Sequence, residues 1–107
     1  MYSKMSIIIP RGSIIASFIY EKSSNLEGYE EMDRLTLKEV SNNNGYLGHE
    51  VFTRDKKNIF ISYWKDFESL EIWKKNSLHI KAKKMGETWY KSYKMQISEL
   101  HNNYTLD

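Results

Sequence analysis

Along the chain, short runs in which apolar residues recur every second position alternate with longer runs in which they recur every third or fourth. Residues 13–20, SIIASFIY, are rich in β-branched and aromatic side chains and apolar on both faces over much of their length. Such a run predicts a strand covered on both sides, and therefore internal to a sheet rather than at its edge. From position 27 to about 42 the period lengthens: Tyr29, Met32, Leu35 and Val40 are spaced along an otherwise polar segment, which predicts an amphipathic helix. Ser23, Ser24 and Asn25 ahead of it offer turn and cap chemistry. Asn42, Asn43, Asn44 and Gly45 behind it tolerate positive φ and predict where it stops.

Residues 48–54 and 58–65 then read as two antiparallel strands joined by a turn at positions 55–58. Alternation puts Phe60, Ser62 and Trp64 on one face of the second strand and Ile59, Ile61 and Tyr63 on the other. Both faces carry rings or branched side chains, so both should be covered. Asp66, with Ser69 three residues on, is the expected N-cap of a short helix over 68–75 that buries Leu70 and Trp73. After Asn76 and Ser77, a further helical piece aligns Leu78, Ala82, Met85 and Trp89, with Gly86 bending or weakening its last turn. Residues 90–100 alternate again, Tyr93, Met95, Ile97 and Glu99 against Lys94, Gln96 and Ser98, and predict a closing strand.

The resulting order is β-α-β-β-α-β with the second α split: an α+β, ferredoxin-like split βαβ fold, its helices on one face of a four-stranded antiparallel sheet. The opposite sheet face needs a cover, and a second copy of the same sheet is an economical one. Residues 1–12, with the only proline, read as a leader; 13–101 form the domain; 102–107 form a polar tail.

Composition changes this picture little. The 107 residues are 40% apolar and 14% aromatic, enough for one core, while a chain this short leaves flat rings for a partner interface. Sixteen basic against fourteen acidic residues give a net charge of +2 with the signs interspersed, which is not a nucleic-acid signature. The densest basic run, Lys81, Lys83 and Lys84 with Lys74 and Lys75 upstream, reads first as a solvated helix face and second as an anion site. With no cysteine there is no disulfide and no thiolate chemistry, which fits a reducing compartment; no run approaches a membrane span, and the cytoplasm is the simplest expected location.

Residues 61–93 hold all three tryptophans and carry a family resemblance. Gly28-Tyr29, then Gly45-Tyr46-Leu47-Gly48 followed by Glu50, Ser62-Tyr63-Trp64, Trp73-Lys74, His79 with Ala82, and Gly86 followed by Trp89-Tyr90 resemble, in order and spacing, the antibiotic biosynthesis monooxygenase-like (ABM) domains. The resemblance runs from about position 13 to 101. It implies a dimeric α+β barrel in which two ferredoxin-like protomers join their sheets and each keeps a pocket between sheet and helices. Some such relatives oxidise aromatic polyketide-like compounds with molecular oxygen and without metal or flavin; others bind and degrade haem. Haem-degrading members place a ligand histidine ten residues after a helix tryptophan. Ten after Trp73 stands Lys83, whose ammonium has no lone pair for iron, and His79 comes six after, so haem chemistry is the less favoured branch. The Asn, Trp, Tyr and Arg set of the polyketide-oxidising members has no residue-by-residue counterpart, and Arg11, Arg34 and Arg54 are the only arginines.

Oxygenation without a cofactor asks for a dry apolar pocket, a base and a donor for the substrate anion. His79 is the expected base, its alternative role being a hydrogen-bonded helix-face histidine. Trp73 is expected to act beside it; Trp64, Tyr63 and Tyr90 are expected to contact a flat ligand, the alternative for each being core or surface packing. Trp89 is expected in the core. His49 and His101 lack metal-ligand spacing, no nucleotide loop is present, and Glu50 reads as an inter-strand or dimer contact. The expectation is a cofactor-independent monooxygenase for a small aromatic or quinol-like compound, with no metal and no cofactor, as a homodimer. The competing expectation is a non-catalytic small-molecule-binding or stress-related dimeric module of the same fold.

Overall fold

Eight elements follow one another in residues 9–106, the part of the chain described in the computed structural model. Expectations for the apolar start of the leader and for the last residue of the tail lie outside these residues. The elements are β1 (Ile14–Lys22), α1 (Tyr29–Val40), β2 (Tyr46–Arg54), β3 (Lys57–Trp64), α2 (Phe67–Lys74), α3 (Ser77–Lys84), α4 (Gly86–Trp89) and β4 (Tyr90–Glu99). The sheet order is β2-β3-β1-β4 with every neighbouring pair antiparallel. The β-branched, two-sided apolar run of β1 is thus central, flanked by β3 and β4. This is the α+β, split βαβ arrangement that the periodicity predicts.

Register fixes what faces what. Ile14, Ala16, Phe18 and Tyr20 of β1 pair with Trp64, Ser62, Phe60 and Asn58 of β3 and with Glu99, Ile97, Met95 and Tyr93 of β4. Because side chains alternate across a strand, these residues share the face that the helices cover, here called the inner face. The core sits where α1 and α2 press on it: Ile14, Ala16, Val40, Trp64, Leu70 and Trp73 form one buried cluster, with Tyr46 packed against it. The outer face carries Ile15, Ser17 and Ile19, aligned with Tyr63, Ile61 and Ile59.

Three local expectations are corrected. Helix α1 is shorter than its polar-apolar pattern suggests and has no side-chain cap: its N-cap is Gly28, at φ 79°, and Ser23 instead ties the preceding turn to the far end of the chain through its backbone N–H to the Trp89 carbonyl (2.7 Å). At the other end, the run through Gly45 does not use positive φ; the helix ends at Val40 with Ser41 in right-handed geometry. Gly45 is required for a different reason: a Cβ there would stand 1.8 Å from Ser69 Oγ and 2.2 Å from Ser69 Cβ. The start of β2 therefore lies directly against the start of α2. Finally, Gly86 does more than bend the last helical piece: it opens a separate four-residue turn, α4, and α3 buries no residue. Asp66 caps α2 as expected, its Oδ1 accepting from Ser69 N at 2.8 Å. No helix among the described residues is long and apolar enough to cross a membrane.

Candidate functional site

Between the inner sheet face and the helices lies a cavity of about 340 Å³, within the range of small-molecule sites. Its floor is Ala16, Phe18, Phe60 and Ser62; its roof includes Thr36, Leu37 and Val40 of α1. Tyr93, Met95 and Ile97 of β4 also line it, yet are 56%, 52% and 40% exposed, so the cavity opens to solvent along that strand. The cause is visible in the elements: the helices cover β1 and β3 and leave β4 bare.

His79 reaches the cavity from α3. The helix starts where it does because Asn76 Oδ1 accepts from Leu78 N (2.9 Å) and His79 N (3.1 Å), while Asn76 Nδ2 donates to Glu39 Oε2 of α1 (3.1 Å). One residue thus caps α3 and ties it to α1. The imidazole stacks on Trp73 with centroids 4.8 Å apart and planes at 24°. Its Nδ1 is buried and forms no hydrogen bond among the described residues. Burial holds the His79 pKa below its ordinary 6.5, and the Lys83 ammonium one turn later lowers it further, while the nearby Trp73 carbonyl opposes both. At neutral pH the ring is uncharged and able to accept a proton.

Trp64, Trp73, Tyr90 and His79 all line this one cavity. Trp64 is only 1% exposed and its Nε1–H donates to Ser62 Oγ (2.9 Å), so it presents a ring face rather than a donor. The Tyr90 phenol has its pKa pushed up to about 12, chiefly by burial, so it stays protonated and can donate. Tyr63 does not join them. It stands on the outer face, as its alternation against Trp64 requires, and its hydroxyl donates to Glu50 Oε1 at 2.7 Å. Glu50 is accordingly an inter-strand contact. Trp89 is buried, donates to the Glu27 carbonyl (2.9 Å) and does not line the cavity.

The sequence reading missed a tyrosine cluster at another part of the lining. Phe18, Tyr20 and Tyr29 gather around Tyr90: the Tyr20–Tyr90 and Phe18–Tyr90 centroids are each 5.2 Å apart and Tyr29–Tyr90 6.0 Å. Burial and mutual proximity raise all three phenol pKa values. Asp33 stands at the rim, exposed as a residue, with partial desolvation raising its carboxyl pKa against the pull of Lys22 and His49. The signal was available: Tyr20 shares parity with Ala16 and Phe18, and Asp33 lies one turn after Tyr29 on the face of α1 turned to the sheet.

Among the described residues no group of three or more histidines, aspartates or glutamates is arranged to hold a metal ion. A family model described as "Monooxygenase af470-like" matches residues 19–107. The chain belongs to this family of ABM type. The chain is also 31% identical over 81 residues, 74% of its own length and 71% of the relative's, to the uncharacterized protein YqjZ of Bacillus subtilis. Two solved structures show how far the fold of this af470-like protein is shared. SnoaB, a cofactor-independent oxygenase from Streptomyces nogalater, superposes with a TM-score of 0.72 at 8% identity, covering 86% of this chain and 96% of that one. A putative antibiotic biosynthesis monooxygenase from Nitrosomonas europaea gives 0.71 at 10% identity, covering 86% and 94%. At such identities the likeness shows the fold alone.

Proposed function

We propose that this af470-like protein is a cofactor-independent monooxygenase acting on a small aromatic or quinol-like compound in the cavity between sheet and helices. The observation that carries the reading is His79: a neutral, half-buried imidazole stacked on Trp73 and facing a mainly apolar, ring-lined space. In an anthrone-type substrate, His79 takes a proton from the ring carbon, and the resulting carbanion, delocalised onto the ring oxygen, supplies an electron to molecular oxygen. The two radicals combine at that carbon, and the peroxide loses water. The balance is closed: a CH2 becomes C=O, one oxygen atom enters the product, and the other leaves as water with the two hydrogens. Trp73 holds the base in orientation, Trp64 offers a flat wall, and the Tyr90 phenol is a donor to the bound oxygen substituent.

Oxygen uptake with a panel of hydroquinones and anthrones tests this. The wild type should consume oxygen above background, and His79→Ala should lose about 10²- to 10⁴-fold in rate, the span usual for a positioned base. Trp73→Phe should lose less. The rate should rise with pH through a pKa below the ordinary 6.5 of histidine and be flat at pH 7 to 8, because the base is active when unprotonated. Uptake no greater than background for every compound would leave a ligand-binding module as the reading.

A homodimer belongs to the same proposal. Its support is the outer sheet face, where Ile15, Ile19, Ile59, Ile61 and Tyr63 are half-buried and Phe52 is 54% exposed. A second sheet laid on that face would bury them. Light scattering at tens of micromolar should give twice the chain mass, and a monomer mass would remove the argument.

A further inference from the structure

Of the five lysines clustered around α2 and α3, Lys74 and Lys83 line the cavity, whereas Lys75, Lys81 and Lys84 do not. Helical spacing explains the selection. His79, Ala82, Lys83 and Gly86 follow at steps of three, one and three, which keeps one face of α3 and its continuation toward the sheet, while Lys81 and Lys84 point away. Lys74 already has a partner, its Nζ lying 3.1 Å from Glu71 Oε1. Lys83 forms no ion pair among the described residues. Lys83 lines the cavity while remaining exposed as a residue, so its charge keeps access to water and is held at little desolvation cost.

The opposite charge on the lining is set elsewhere. Asp33 interacts with the tyrosine cluster, Lys22 and His49. Asp33, the one carboxylate among the described residues of the lining, thus lies beside the tyrosines, where Lys22 Nζ also stands 4.8 Å from the Tyr29 ring, while Lys83 is carried by α3. We infer that Lys83 is an anion-binding residue of this cavity, and that the compound it takes carries an ionised oxygen on its aromatic ring, seated at the α3 end beside His79. This rests on the reading of the cavity as a substrate site and names the class of substrate: an acidic phenol or enol rather than a neutral ring. The two side chains on one helical turn then divide the work. Lys83 holds the oxygen that is already ionised when the compound binds, and His79 takes the proton that leaves the ring carbon during the reaction.

Calorimetric titration of the full chain at pH 7.5 with two probes of nearly equal shape tests the inference without turnover. They are 2-hydroxy-1,4-naphthoquinone, ionised at that pH, and neutral 2-methyl-1,4-naphthoquinone; the chain has no cysteine for either to alkylate. The wild type should bind the anion about tenfold more tightly, the size expected of a hydrogen bond to a charged group, and added salt should shrink the difference. Lys83→Met should erase the preference while leaving affinity for the neutral probe within about twofold, Lys83→Arg should keep it, and Lys81→Met should match the wild type. Equal affinities in the wild type, an undiminished preference in Lys83→Met, or an equal loss in Lys81→Met would each overturn the inference. A wild type that binds neither probe would overturn it together with the cavity reading. Binding as expected with no oxygen uptake would count against the monooxygenase reading alone, and the anion preference would stand.

Discussion

Helices α2 and α3 have eight residues each, and each begins at a side-chain cap, Asp66 for one and Asn76 for the other. They do opposite things. α2 buries Ser69, Leu70 and Trp73, joins the core with Ile14 and Trp64, and leaves no room for Cβ at Gly45. α3 buries nothing and is fixed by its cap, by the Asn76–Glu39 contact and by the stacking of His79 on Trp73. The lesson is that the cavity lies where packing stops. One helix seals the sheet by close contact, and the next roofs a space while bringing the base His79 and one cation, Lys83, to it.

Truncations in the two helices should separate these roles most sharply. Leu70→Ala should destabilise the fold by about 2–5 kcal/mol, the range for deleting a buried leucine side chain, whereas Leu78→Ala, half-buried on α3, should cost about 1 kcal/mol. Urea unfolding with unchanged m-values would measure both, and equal losses would break the comparison. Next in size, Gly45→Ala should cost about 1–3 kcal/mol by overpacking against Ser69; the same unfolding curves report it.

Smaller still, Asn76→Ala should lower stability by about 1 kcal/mol through the lost cap. It should lower oxygen uptake more than Leu78→Ala does, because it also loosens the turn that carries His79. The last prediction concerns pH. The folded pKa of His79 lies below 6.5, so the unfolded chain binds more protons as the pH falls; the stability contributed by the neutral ring is fully present above about 6.5 and is lost as pH falls from there through the folded pKa. His79→Gln should flatten that part of the stability-pH curve, and an unchanged slope between pH 7 and 5 would mean that the ring is not held neutral by the fold.

The order of strands and helices, the internal place of β1 and the Asp66 cap are legible because each rests on a local rule: period two, period three to four, or a side chain three residues from its acceptor. Trp64, Trp73, His79 and Tyr90 were singled out by type and are brought to one cavity. Residue type alone groups Tyr63 with them, but its alternation with Trp64 puts it on the outer face, where it donates to Glu50. Parity and helical spacing place Tyr20 with Phe18 and Asp33 with Tyr29, each pair on one face of its own element, but it is the packing of α1 on β1 that sets them beside Tyr90. Gly45 reads in the sequence as part of a positive-φ helix stop, when what it serves is a contact with a residue 24 positions later.

What the sequence determined by itself is the order of elements and the face each side chain takes, because backbone periodicity and capping act over a few residues. Only the tertiary structure decided that α2 packs tightly and α3 does not, that the face of α3 carrying His79 and Lys83 is the one that borders the cavity, and that the cavity opens along β4. Those outcomes depend on volumes and distances between segments far apart in the chain, which no local pattern records.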